Sequence, residues 1–212
     1  GVDPFGARRV GPGGEGGARY QRGATTQSAT ASTNRLRDAI ANVTLGQGPG
    51  IFPGVGFVAG EYRQRQNLRA VSVRGIEARA EGKAGSGSAR IGASLTDAEV
   101  VPSDAAAGLN GLRPAQTPRL SLTGGLTWER DRRVMALDVR HVGAQFEDDL
   151  NQRKLPPATT FDAFAAWPLT EALQLVVRGE NLLDETVVAG INDDGAVERA
   201  TPRTFWIGLR YR

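Results

Sequence analysis

Six stretches of this chain alternate apolar and polar residues with a period of two, and only the polar rows carry charge. Leu120, Leu122, Gly124, Leu126 and Trp128 share one parity, while Arg119, Ser121, Thr123, Thr127 and Glu129 share the other. Met135, Leu137 and Val139 stand against Ala136, Asp138 and Arg140, and Phe161, Ala163, Ala165 and Trp167 against Thr160 and Asp162. Leu173, Leu175 and Val177 face away from Gln174, Arg178 and Glu180; Phe205, Ile207, Leu209 and Tyr211 face away from Thr204, Arg210 and Arg212. Ala89, Ile91, Ala93 and Leu95 alternate with Ser88, Arg90, Ser94 and Thr96. Successive side chains of a strand point to opposite faces, so each stretch reads as a strand with one apolar face. A helix needs apolar residues three and four apart. Only Asn34 to Val43, with Leu36 and Ile40, offers that spacing, and it reads as a strand leading into a loop. The expected fold class is therefore all-β and antiparallel.

Between Val71 and Gly82 the pattern changes phase: Val71 and Val73 have one parity, Ile76, Ala78 and Ala80 the other. A bulge at Gly75 would do this, since glycine is favoured there. So would a strand that leaves a membrane partway.

Charge separates a membrane wall from a soluble sandwich. The polar rows carry Arg119, Asp138, Arg140, Arg178, Glu180 and Arg210. A soluble core does not bury so many unpaired ions, whereas a wet lumen holds them. A lipid-facing arginine costs about 2–4 kcal/mol, and the apolar rows contain none. No segment approaches the roughly 20 consecutive apolar residues of a membrane-spanning helix. Barrel strands need only about 10 alternating residues.

Connections and aromatics point the same way. Short turns are expected at Arg22-Gly23, Gly85-Ser86-Gly87, Arg130-Asp131-Arg132 and Pro168 to Glu171. Long irregular loops are expected at Gly46 to Gln66, Pro102 to Thr117, Gly143 to Pro157 and Asp184 to Pro202. Outer-membrane barrels have short periplasmic turns and long extracellular loops. Tyr20, Trp128, Trp167 and Tyr211 fall on apolar parities close to the short-turn end, the pattern of an aromatic girdle. Phe161 and Phe205 lie nearer the long loops.

The remaining residues exclude more than they assign. The chain has no cysteine, so it holds neither a disulfide nor a thiolate metal site. Net charge is +3, but the arginines are scattered rather than gathered into a stripe, which speaks against nucleic acid. His141 is the only histidine, without readable catalytic partners, and reads as a rim or lumen residue. Glu147-Asp148-Asp149 and Asn192-Asp193-Asp194-Gly195 lack EF-hand spacing and read as loop or turn. Gly46 to Gly60 lacks a Walker lysine and reads as a loop. Residues 1–16 read as a loop or frayed end, and the start shows no signal-peptide pattern. No catalytic residue, cofactor or metal site is expected.

The C-terminal Phe205-Trp206-Ile207-Gly208-Leu209-Arg210-Tyr211-Arg212 resembles the signal recognised by the outer-membrane insertion machinery, with Gly208 and Tyr211 in matching places. The final aromatic of that signal would follow Arg212. Glu180-Asn181-Leu182-Leu183-Asp184-Glu185 resembles the "NLFD" element near the end of TonB-dependent receptors, with Leu183 replacing the usual aromatic. Pro202-Arg203-Thr204-Phe205, Arg74-Gly75-Ile76-Glu77, Asp148 to Thr160 and Asn34-Arg35-Leu36-Arg37-Asp38-Ala39-Ile40 resemble further elements of that family, in the same order. The resemblance covers residues 17–212. It implies the C-terminal strands, about nine, of a plugged 22-stranded outer-membrane barrel. It also implies uptake of a scarce extracellular small molecule or metal chelate such as a ferric siderophore, with the long loops, the one holding Asp148 to Leu155 among them, contributing to capture. TonB would be met only through an N-terminal part outside this sequence, and the fragment alone would not transport. The competing readings are a small self-contained barrel or porin-like channel, a barrel enzyme, and a soluble β-rich binding domain.

Overall fold

A computed structural model describes residues 9–10 and 13–211. Most of residues 1–16, read as a loop, lies outside the described residues, as does Arg212; where that span is described, residues 9–10 and 14–16 are strand. Nine long strands run β1 Gly14–Arg22, β2 Thr25–Arg37, β3 Ala70–Ala84, β4 Gly87–Val101, β5 Leu120–Arg130, β6 Arg133–Val142, β7 Ala158–Pro168, β8 Leu173–Glu180 and β9 Thr204–Tyr211. Each pairs antiparallel with the next in sequence, giving one continuous meander. A two-residue strand, Arg9–Val10, continues β1 along the same edge of β2. Among the described residues the other edges of β1 and β9 have no strand partner.

Local chemistry dictates the short connections. Gly23 and Gly85 sit at the first central position of two-residue turns with φ of +57° and +56°. That is the II′ hairpin pattern, which asks for glycine there. Asp131 and Arg132 both have positive φ, the I′ pattern. A four-residue turn joins β7 to β8, where Thr170 Oγ1 accepts the amide of Leu173 at 3.0 Å. All four short connections lie at one end of the wall; the long ones, 38–69, 102–119, 143–157 and 181–203, lie at the other.

The two faces keep the composition their parities predict. Leu126 is 58 % exposed and Leu137 43 %, paired in register on the apolar face. On the polar face Gly125 lies directly between Arg90 and Asp138, its two cross-strand partners, which form an ion pair over it. A Cβ at Gly125 would stand 2.7 Å from Asp138 Oδ1 and 2.8 Å from Arg90 Cζ. Gly125→Leu is therefore expected to separate the pair and to destabilise the wall by about 1–3 kcal/mol. Thermal unfolding of the detergent-solubilised protein checks this; an unchanged midpoint would show that the wall flexes freely at that point.

Three expectations need correction. There is no bulge at Gly75: β3 keeps unbroken register from Ala70 to Ala84 against both neighbours. The apparent phase change arises because Val71 and Val73 lie on the polar face. There Val71 meets a core of Val43, Leu68, Val100, Ala106 and Leu109, formed where the wall meets the long connections. Arg119 does not project with the polar row, since its guanidinium reaches Asp97 at 3.5 Å on the apolar-face side. The long connections are also not irregular. Residues 38–69 form a hairpin, Ile40–Gln47 with Glu61–Asn67, tipped by Gly50–Phe52 with Gly56–Val58. Two others carry short ladders, Gln145–Phe146 with Lys154–Leu155 and Val188–Ile191 with Val197–Arg199.

Candidate functional site: the vestibule of the long connections

The four long connections meet one another through polar contacts, and the segment 147–153 is the hub. Asp148 is 6 % exposed. Its carboxylate accepts the amides of Gln152 at 3.0 Å and Arg153 at 2.6 Å, closing the turn on itself. Asn151, in a left-handed conformation at φ +56°, turns its amide toward connection 102–119. It donates to Arg113 O at 2.9 Å and accepts from Arg113 N at 2.9 Å, as a strand neighbour would. Asp149 accepts Thr44 N and Thr44 Oγ1, both at 2.7 Å, from connection 38–69. The acidic run at 147–149 is thus spent largely on turn and cross-loop hydrogen bonds.

Arg153 ties in the fourth connection. Its Nη1 donates to Glu61 Oε1 at 2.6 Å and to Asp193 Oδ1 at 3.1 Å. Arg63 contacts the same two carboxylates. Burial works against the charge on Arg153. The hydrogen bond and charge of Glu61, with the charges of Asp193 and Asp148, more than offset it and raise its pKa. Glu61 is 9 % exposed at its side chain and Arg153 18 %, so the pair is well shielded. Arg153→Ala is expected to leave Glu61 with Arg63 alone and to loosen the vestibule by about 1–3 kcal/mol. Amide exchange in 38–69 and 181–203 should then speed up at least tenfold while the wall stays protected. Equal protection in both proteins would mean the ladders alone hold the connections.

These connections enclose an open cavity of about 790 Å³. Arg63, Arg113 and Arg153 line it together with Glu147, Asp148, Asp149, Asp193 and Asp194, and Leu68, Val71 and Leu109 form an apolar floor. A cavity of this size with a few convergent charged groups suits a small polar molecule.

At 181–185 the chain makes a closed turn. Asn181 is 5 % exposed and adopts φ +48°. Its Nδ2 donates to Glu185 O at 2.8 Å, its Oδ1 accepts Glu185 N at 2.9 Å, and its own amide donates to Asp162 Oδ1 at 2.8 Å. Asp184 Oδ1 accepts Arg203 N at 3.0 Å, so both ends of connection 181–203 are drawn together before β9.

The other sequence-flagged residues sit apart from the vestibule. Tyr20, Trp128, Trp167 and Tyr211 lie on the apolar face near the short-connection end; Trp128 is half-buried and the other three are exposed. The Arg133 guanidinium carbon is 4.4 Å from the Trp167 ring centroid, a cation–π contact. Gly208 lies opposite Val176, and Tyr211 opposite Leu173. His141 is on the apolar face at the long-connection end, its Nδ1 2.8 Å from Thr159 Oγ1, which makes it a rim residue and not a lumenal one. The sequence reading overlooked Phe164 and the 60 %-exposed Trp206, both on the polar face beside Arg178. It also overlooked Arg153, Glu61 and Arg63, whose meeting no sequence spacing reveals.

Residues 14–182 match the family model described as TonB dependent receptor-like, beta-barrel. The fold is similar to that of the ferric yersiniabactin uptake receptor FyuA from Yersinia pestis, with a TM-score of 0.74 and 20 % identity over 94 % of this chain and 29 % of that one. It is similar to the siderophore receptor PiuA from Acinetobacter baumannii, with a TM-score of 0.72 and 14 % identity over 94 % and 28 %. The copper transporter OprC gives 0.69 and 17 % over 93 % and 31 %. This chain therefore spans about three-tenths of the length of each of these proteins. No curated protein matches the sequence.

Proposed function

The chain belongs to the TonB-dependent receptor β-barrel family, and we propose that it is the C-terminal wall of an outer-membrane receptor for a scarce extracellular ligand. The match over residues 14–182 carries this reading. The ligand class is a metal chelate, a reading supported by the fold shared with a ferric yersiniabactin uptake receptor, a siderophore receptor and a copper transporter. The apolar face meets lipid and the polar face meets the lumen. The vestibule faces outward, and Tyr20, Trp128, Trp167 and Tyr211 form the periplasmic-side girdle. Gly208 and Tyr211 serve the insertion machinery. Strands from the rest of the receptor pair with β1 and β9, and contact with TonB lies in that same remainder. The chain alone, with two open edges, does not transport.

The observation that favours a receptor over a passive pore is the vestibule. Four connections locked by Asp149, Asn151, Arg153 and Asp193 form a shaped cavity rather than a ring of independent loops. Deleting Asp148 to Leu155 would not probe ligand contact cleanly, because it would release all three other connections. The test uses a strain whose only route for a ferric or copper chelate is the complete receptor. Uptake of radiolabelled chelate should require the receptor and the proton-motive force. An outer-membrane receptor that supports no uptake of either chelate class would overturn the ligand assignment. Energy-independent leakage in its place would identify a porin-like channel.

A further inference from the structure

The apolar face changes character sharply toward the long connections. On β3, Ile76 gives way to Arg74; on β4, Leu95 gives way to Asp97; on β2, Ala31 and Thr33 give way to Arg35 and Arg37. Register sets Arg74 opposite Asp97 and Arg35 opposite Ser72. Arg119 turns onto this face from the start of β5, its carbonyl accepting Thr96 N at 2.9 Å and its guanidinium 3.5 Å from Asp97. An open groove of about 760 Å³ lies here, with Ala31, Ile76 and Leu95 below and Arg74, Asp97 and Arg119 above. Counting Arg35, Arg37, Arg74 and Arg119 against Asp97 and Glu99, the band is net positive by two.

Height matters as much as charge. Arg74 is ten residues along β3 from Ala84 at the short turn. At about 3.4 Å per residue and a tilt of about 35–45°, that is roughly 24–28 Å. The apolar band of an outer-membrane barrel is about 25 Å tall. With the short turns at one boundary, Arg74 and Arg119 fall at the other, level with lipid headgroups. Among the described residues Arg74 makes no ion pair, and Arg119 has only the exposed Asp97. An arginine fork is suited to phosphate oxygens.

We infer that this groove binds a phosphorylated lipid of the leaflet on the long-connection side. An acyl chain lies along Leu95, Ile76 and Ala31, and the phosphate sits between Arg74 and Arg119. Asp97 competes with the phosphate for Arg119. The inference rests on the membrane placement proposed above, and it concerns the outside of the wall, away from the vestibule.

The test takes the complete receptor in detergent and measures bound lipid by native mass spectrometry. The probes are phosphatidic acid, diacylglycerol with the same chains, and inorganic phosphate. Phosphatidic acid should bind at least tenfold more tightly than diacylglycerol, and millimolar phosphate should not displace it. The double variant Arg74→Gln/Arg119→Gln should lose that preference. Asp97→Asn, which frees Arg119 and removes no cation, should strengthen binding several-fold, so the outcome does not depend on a loss of folding. Equal binding of the two lipids, full competition by free phosphate, or an unchanged preference in the double variant would each overturn the site. Membrane fractionation separates this from failure of the receptor reading: a receptor found in the outer membrane but lacking the preference removes the lipid site alone.

Discussion

Leu137→Arg is expected to cost the intact receptor about 2–4 kcal/mol and to cut its assembly into the outer membrane severely. Leu137 is 43 % exposed on the apolar face, paired with Leu126 on one side and Ala163 on the other. It lies four residues from Arg133 at the short turn, which places it about 10 Å into an apolar band about 25 Å tall. An arginine there has no water within reach and no acidic neighbour on its face. The matched control is Thr123→Arg, on the exposed polar face of β5, directly opposite Arg140 and one diagonal step from Asp138. Like charge at the pair limits the loss to about 1 kcal/mol, because both arginines stay in water. Heat-modifiability of the assembled barrel and its amount in outer-membrane fractions read both variants. Equal tolerance of the two arginines would mean the apolar face meets water, and the soluble β-rich reading would replace the membrane one.

The contrast between these two variants rests on information the sequence displays openly. A strand with one lipid face and one wet face must alternate, so Leu122, Leu126, Met135, Leu137 and Val177 announce both strand and orientation. The turns are equally legible, because Gly23 and Gly85 meet a backbone requirement that few other residues satisfy. The extensions beyond the membrane band are less legible for a physical reason. Glu61–Asn67 reads Glu-Tyr-Arg-Gln-Arg-Gln-Asn, and neither of its faces meets lipid, so no alternation is imposed on it. Val71 misled for a related reason: it is apolar because it packs under the long connections, and the wall itself passes through that point without a bulge. Arg119 precedes the first paired residue of β5, so parity does not govern its side chain. The vestibule was the least legible part. Glu61, Arg153 and Asp193 lie on three different connections and are brought together only by the meander.

The turn at 180–185, which resembles a family element, shows the opposite case, a pattern legible in sequence whose physical work becomes clear only in three dimensions. Asn181→Ala is expected to cost about 2–4 kcal/mol, more than almost any other single polar change in the chain. Two contributions add. At 5 % exposure, removing the amide leaves Glu185 N and Glu185 O without the partners now at 2.9 and 2.8 Å. In addition, φ at this position is +48°, a conformation asparagine tolerates and alanine resists by roughly 1 kcal/mol. Asn181→Gly separates the two, since glycine accepts the backbone conformation but makes no side-chain hydrogen bonds. Glycine should recover roughly 1 kcal/mol of the alanine loss and no more. Both variants should expose the amides of Glu185 and Arg203 to exchange. Connection 181–203 should loosen with them, which weakens the hold of Asp193 on Arg153 at the vestibule. If glycine restored full stability, the asparagine would be present for its backbone alone. If neither variant changed exchange at Arg203, the turn would have no part in closing the connection, and its link to the vestibule would fall.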